Sequence, residues 1–179
     1  VNLPDKADEI WVCIPGAIES KCRDYKALLA LAQHPQLKEK VKFILLGNAT
    51  LGEGTSFIGE IQRLNIAHRF VYFNERVSDE LFYSYIRQVD YLLPLIHPDA
   101  HTAGDYTKTK ISGMFPLSLA FEKTMLCHNL FAQVKGFDYN VLFYDNLDEL
   151  VDTINQNRKV EHTFTADFDK NQSRYLSLL

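Results

Sequence analysis

Residues 90–128 read DYLLPLIHPDAHTAGDYTKTKISGMFPLSLAFEKTMLCH: an apolar strand, a polar loop, and a return to the core through a helix and a further strand. A doubly wound α/β sheet binds phosphates at such strand-to-helix junctions, because loop amides and a helix N-terminus converge just beyond the strand's carboxyl end. Lys108 and Lys110 lie in this junction beside Ser112 and Gly113, and Pro116 suits the first turn of the helix that follows. The functional expectation is a cradle for an anionic, phosphorylated ligand. The plainer alternative is a connection whose lysines only solvate the surface, the commoner role of a two-lysine loop. Phe115 to Phe121 favours the cradle, because a helix apolar on nearly every side is buried rather than amphipathic. Its N-terminus would then look from a packed layer into a cleft.

Outward from this stretch the periodicity alternates. Ile10 to Pro15 is a continuous apolar strand ending in Gly16, and Tyr25 to Ala32 is helical with Asp24 as its N-cap. Phe43 to Leu46 is a second strand, closed by Gly47 and Asn48. Phe57, Ile58, Ile61 and Leu64 follow at helical spacing, and Phe70 to Phe73 is a third strand. Ser78 caps a helix carrying Leu81, Phe82, Tyr85 and Ile86. Tyr91 to Ile96, Met125 to Cys127 and Val141 to Tyr144 complete six strands. A last helix carries Leu147, Leu150, Val151 and Ile154, with Asn146 and Glu149 spaced as a capping box. Short apolar strands separated by helices predict a Rossmann-like, doubly wound parallel sheet with helices on both faces. The binding face is then the set of loops after the strands, at Gly16 to Arg23, Gly47 to Thr55, Asn74 to Val77, His97 to Gly113 and His128 to Asn140.

The chain of 179 residues, 46% hydrophobic and 23% charged, suits one well-cored domain. The boundaries expected are a linker over 1–9, the sheet domain over 10–156, and a tail over 157–179 with helical potential. A formal net charge of −4 argues against nucleic acid as the main partner. Cys13, Cys22 and Cys127 lack metal-ligand spacing and read as reduced thiols of a cytoplasmic protein. No run is long and apolar enough for a membrane span.

The pieces IPGAIESK (14–21), FILLGNA (43–49), RFVYFNERVSDEL (69–81), YSYIRQVDYLLPLI (83–96), the loop, helix and strand of 108–126, and VLFYDNLDELVDTI (141–154) form an ordered series. That series resembles the C-terminal, nucleotide-sugar-binding domain of a GT-B glycosyltransferase, of the group that includes glycosyltransferase family 4. The resemblance covers about residues 10–154. It implies the donor-binding half of a transferase that moves a sugar from a nucleoside-diphosphate sugar to a polysaccharide or glycoconjugate. The glycan or lipid-linked acceptor would be held by a domain N-terminal to Val1. It also implies turnover without a bound metal or other cofactor, and a cytoplasmic enzyme of bacterial type, with room for a peripheral position at the inner membrane face.

By the same resemblance Lys21 is the best match to the basic residues that contact the donor diphosphate, Arg23 is a neighbouring candidate, and Gly16 gives the backbone room to approach the ligand. Lys108, Lys110, Ser112 and Gly113 hold diphosphate and sugar, and Asn74 and Val77 lie near the nucleobase. His97, at a strand end, is a candidate hydrogen-bonder to the sugar. The family's pair of glutamates in the loop and helix is replaced by Thr109 and Leu117, so sugar or ribose recognition must differ. A degenerate, noncatalytic interaction domain and a GT-B-type nucleotide-sugar epimerase are the alternatives. His97 and His101 in HPDAH do not make a zinc site, because a proline-containing loop does not set them on one helical face. The GEGTS loop at Gly52 to Ser56 lacks the spacing and lysine of a phosphate-binding turn and reads as a flexible connection.

Overall fold

The computed structural model describes residues 3–98, 103–108, 112–134 and 139–160, with the backbone alone at 103, 107 and 108. The apolar runs fold as β1 (Ile10–Pro15), β2 (Val41–Asn48), β3 (Phe70–Phe73), β4 (Tyr91–Leu92), β5 (Thr124–His128) and β6 (Val141–Tyr144). Between and after them lie α1 (Tyr25–Ala32), α2 (Gly54–Arg63), α3 (Asp79–Gln88), α4 (Ala103–Lys108), α5 (Met114–Ala120) and α6 (Leu147–Asn155). Every strand pairing is parallel, in the order β3-β2-β1-β4-β5-β6. The chain thus builds outward from β1 to β3, then returns to the other side of β1. The boundary between β1 and β4 is the topological switch point, where ligands of open α/β sheets bind.

Strand periodicity distributes the core between two faces. Ile10, Val12 and Ile14 of β1 pack with Leu28, Leu31, Phe57, Ile61, Leu150 and Ile154, from α1, α2 and α6. Trp11 and Cys13 point the other way, toward Tyr85 and Ile86 of α3 and Met114 and Phe115 of α5. All six residues of β1 are buried, as a central parallel strand covered on both faces requires. The Cys13 and Cys127 thiols lie in this core, and burial pushes both far above the ordinary thiol range, so neither is a nucleophile near neutral pH.

Four local expectations need correction. The second strand is not closed by Gly47 and Asn48 but runs on through both. The fourth strand stops at Leu92 rather than Ile96, because Pro94 has no N–H to give a ladder and Leu95 takes a left-handed φ of 57°. Helix α5 is not buried all round: Met114, Phe115 and Ser118 face the core, while Leu117, Leu119 and the C-cap Phe121 stay partly exposed. The GEGTS segment is not a loose connection, since α2 begins at Gly54 and takes in Thr55 and Ser56.

The helix starts are set locally. Asp24 Oδ1 accepts from Ala27 N–H at 2.9 Å, Ser78 Oγ from Leu81 N–H at 3.3 Å, and Asn146 Oδ1 from Glu149 N–H at 3.0 Å. Glu149 reaches back to Asp145 N–H at 2.9 Å, one residue before the partner of a standard capping box. Asn146→Ala is therefore expected to cost about 1 kcal/mol, read as a lower urea midpoint; an unchanged midpoint would remove the cap from the account of α6.

Both ends of the described chain meet below β4. Lys6 Nζ lies 2.6 Å from Asp90 Oδ2, and Leu3 packs on the core beside α3 and α5. At the other end the Tyr91 hydroxyl donates to the Arg158 carbonyl at 2.7 Å. Residues 161–179 of the expected tail lie outside the described residues.

Candidate functional site

Gly16 leaves β1 with φ of 100°, a conformation that glycine adopts without strain. The space its missing side chain opens is filled by Arg23, whose Nη2 and Nη1 would stand 3.0 and 3.3 Å from a Cβ at that position. Arg23 Nη1 donates to the Ala17 carbonyl at 3.1 Å. The guanidinium is thereby held over the turn that ends β1, beside the switch point. Two expected residues, Gly16 and Arg23, therefore act as a pair: the glycine makes room for the arginine before it makes room for any ligand. On the other side of the same turn, Gly47 of β2 lies against Gly16, so closely that a Cβ would fall 2.2 Å from the Gly16 oxygen.

Across the switch point, the loop after β4 is clamped to the start of α1. Asp24 N–H donates to the carbonyl of the left-handed Leu95 at 2.7 Å. His97, two residues on, places Nδ1 2.9 Å from Asp24 Oδ2 and Nε2 2.8 Å from the Tyr144 hydroxyl at the end of β6. The carboxylate only accepts, so Nδ1 carries the hydrogen, and in the neutral ring Nε2 accepts from Tyr144. His97, the candidate sugar contact, thus has both nitrogens on protein partners. His128, at the end of β5, completes the group, with ring centroids 5.6 Å from His97 and 5.9 Å from Tyr144.

Burial pushes the Asp24 carboxyl up, but the amides of Ala27 and Lys26 and the His97 ring together hold it below its ordinary range. Burial drives the Tyr144 phenol far upward, so it stays a donor at any working pH. Burial first, and the neighbouring His97 second, lower His128, against a weaker pull from Asp145. The result is a polar floor under the carboxyl ends of β1, β4, β5 and β6, neutral at His128 and anionic at Asp24. Sequence reasoning named Asp24 only as a cap and did not name Tyr144 or His128 as site residues; no local signal marks them, since 73 and 47 residues separate His97 from its two partners.

The remaining candidates are distributed around this floor. Lys21 is exposed on the β1–α1 loop, in the same segment as Arg23. Ser112 Oγ accepts from Met114 N–H at 3.4 Å at the start of α5. Gly113 has φ of −57° and open space at its Cβ position, so its backbone does not demand glycine. Lys108 ends α4, with its side chain outside the description, and Lys110 lies outside the described residues altogether. Asn74 and Val77 line a shallow recess of about 360 Å³ with Phe73, Arg76 and Leu81. That recess follows β3, two strands and so about 10 Å from β1. The geometry therefore forms two groups on one edge of the sheet, Gly16 with Arg23, Asp24 and His97 at its centre, and Asn74 with Val77 to one side. Among the described residues no cluster of three or more metal-ligating side chains occurs.

No protein-family model and no curated protein matches the chain in sequence. Solved structures do match in shape. The C-terminal domain of a glycosyl transferase group 1 family protein (LpcC) from Francisella tularensis superposes with a TM-score of 0.54 at 11% identity, covering 82% of this chain and 74% of that one. The N-terminal domain of Candida albicans trehalose-6-phosphate phosphatase gives 0.51 at 9% identity, over 85% of this chain and 35% of that chain. The all-parallel sheet with helices on both faces is thus a Rossmann-like fold, matching that of the C-terminal domain of the group 1 glycosyl transferase. Likeness at this identity concerns the fold, and the two neighbours carry different names over the same architecture. No helix among the described residues is long and apolar enough to cross a membrane.

Proposed function

We propose that this chain is the donor-binding half of a glycosyltransferase that uses a nucleoside-diphosphate sugar. The observation that carries the reading is the Arg23 guanidinium, held over Gly16 at the carboxyl end of β1 on the sheet's switch point. A fixed planar cation there suits a diphosphate, which it can meet with two parallel hydrogen bonds. In the reaction the bond between the sugar's anomeric carbon and the β-phosphate oxygen breaks, and its electron pair leaves with the nucleoside diphosphate. An acceptor hydroxyl forms the new bond and loses its proton to a base. The task of this half is to stabilise negative charge on the departing oxygen. Arg23 and Lys21 from the first loop, with Lys108, Lys110 and the amides around Ser112 and Gly113 from the fourth, are the groups assigned to it. Asn74 and Val77 would border the base. No metal is required in this reading, because side-chain cations carry the charge.

The Asp24–His97–Tyr144 chain has a positioning role here. It fixes the start of α1 to the loops after β4 and β6, and so fixes Arg23, the residue before Asp24. The acceptor and its binding domain, the donor's base and sugar, and a cytoplasmic setting belong to the same proposal. A noncatalytic domain that kept the sheet is the second reading, favoured by Leu117 on α5 where a family glutamate is expected, and by a His97 already saturated by protein partners.

Ligand-observed NMR against UDP, GDP and ADP tests the choice. Two or three charge-assisted contacts, less the cost of immobilising a ligand, give an expected dissociation constant of roughly 10 μM to 1 mM for this half alone. Arg23→Gln is expected to weaken the preferred nucleotide about tenfold, with Lys110→Ala weakening it in the same direction. A folded protein that binds none of the three supports the noncatalytic reading instead.

A further inference from the structure

Glu53 stands at the N-cap position of α2, yet its carboxylate makes no capping bond to that helix. Its Oε2 accepts instead from Ser20, 33 residues away in the chain, from the backbone N–H at 3.0 Å and also from the hydroxyl. An exposed carboxylate bonded this way ties two loops together rather than capping its own helix. The two Ser20 donors, hydroxyl first and amide second, hold the Glu53 carboxyl below its ordinary range, so it is an anion at neutral pH.

The base under Glu53 is stiff. Gly54 packs so closely on the segment just past β2 that a Cβ there would fall 2.5 Å from the Ala49 oxygen, which fixes the first turn of α2. Gly52, with φ of 56°, passes the neighbouring loop with its Cβ position 3.7 Å from the Ile18 oxygen. The loop that Glu53 holds, residues 16–24, forms neither helix nor strand. Its ends are fixed, by Gly47 against Gly16 and by the Asp24 N–H on the Leu95 carbonyl. Between them the Ala17 carbonyl accepts from both Arg23 Nη1 and the Tyr25 hydroxyl, at 3.1 and 3.2 Å. Ser20 lies midway between the two fixed ends and directly before Lys21.

We propose that Glu53 is a positioning residue for the donor diphosphate: by gripping Ser20 it holds the loop in the arrangement that presents Lys21 and Arg23, a role that rests on the donor-binding reading of this loop. A carboxylate repels a phosphate, so Glu53 acts through Ser20 and not through contact with the ligand. Without the grip, the binding-ready arrangement is a smaller fraction of the loop's conformations, and the apparent dissociation constant rises by the inverse of that fraction. Removing a negative charge beside an anion site would by itself tighten binding. The two effects of Glu53→Ala therefore oppose each other, and the direction of the change tells which one rules.

Binding of UDP, GDP and ADP, with hydrogen exchange, tests it on the full chain in wild type, Glu53→Ala and Glu53→Gln. Glu53→Ala is expected to weaken the preferred nucleotide about tenfold and to speed amide exchange over 17–22 about tenfold, with β1 and α6 unchanged. Both Ser20 bonds fall on a single oxygen, which glutamine keeps, so Glu53→Gln should restore binding to within about threefold of wild type. Unchanged or tighter binding by Glu53→Ala overturns the role, as does an equal loss in Glu53→Gln, which would trace the effect to charge. A wild type that binds none of the three nucleotides overturns the donor reading and the positioning role with it; faster loop exchange in Glu53→Ala would then show a grip that serves no nucleotide, which tells the two failures apart. Should Glu53→Ala lose protection in β1 as well, Ser20→Ala decides: it removes the hydroxyl bond alone, at an exposed position, and is expected to weaken binding about threefold, unchanged binding overturning the role.

Discussion

Gly47→Ala is expected to cost about 3 kcal/mol or more, a large share of the ~5–15 kcal/mol that holds a domain of this kind together. The added Cβ would stand 2.2 Å from the Gly16 oxygen and 2.9 Å from its carbonyl carbon, both backbone atoms. No rotamer change relieves a contact with backbone, and the Gly16 turn cannot retreat without displacing Arg23, which fills its other side. Stability and the candidate site are therefore damaged together. Gly59→Ala is the control. It lies inside α2 with no heavy atom within 4 Å of its Cβ position, so it is expected to stabilise the protein by about 0.5–1 kcal/mol through helix propensity. Urea midpoints of the two variants should move in opposite directions; a Gly47→Ala midpoint at or above that of the wild type would refute the close approach.

His97→Ala is expected to cost about 2–4 kcal/mol at pH 7, because it strands two groups, the half-buried Asp24 carboxylate and the buried Tyr144 hydroxyl. Tyr144→Phe strands only the His97 Nε2 and should cost less than half as much. The effect of pH follows from Asp24. Its folded-state pKa is depressed, so its contribution is fully present above the unfolded value of about 3.9 and is lost as pH falls through the folded value. Because His97 supplies part of that depression, the gap between wild type and His97→Ala should narrow as the pH drops below about 4. Denaturant midpoints of both proteins across pH 7 to 3 check this, and a gap that stays constant or widens on acidification would mean that the Asp24–His97 contact contributes nothing to the folded state.

Much of the architecture was legible because it is set by neighbours in the chain. Helix α1 spans Tyr25–Ala32 with Asp24 as its cap, and β1, β3 and β6 have the bounds expected from their apolar runs. A cap, a glycine stop and an apolar period act within a few residues, so they survive in the sequence as local pattern. Even the shortening of β4 was written there, in Pro94, which forbids the ladder that the run YLLPLI otherwise suggests. The failure at α5 has a different origin. Composition records how apolar a helix is, whereas the side left open depends on which neighbours the fold supplies.

The candidate site divides in the same way. From local pattern alone it follows that the loops after the strands share one edge of a parallel sheet, which places Gly16, Arg23 and His97 at the same end of the molecule. That Arg23 fills the space above Gly16, that Gly47 closes on that turn from β2, and that Asp24, His97 and Tyr144 join across 73 and 47 residues emerges in the folded chain. Periodicity fixes the direction in which each strand presents its side chains, but leaves open which strands lie side by side. The order β3-β2-β1-β4-β5-β6 brings these residues into contact, and that order is set by the joint packing of two helical layers on one sheet rather than by any single segment.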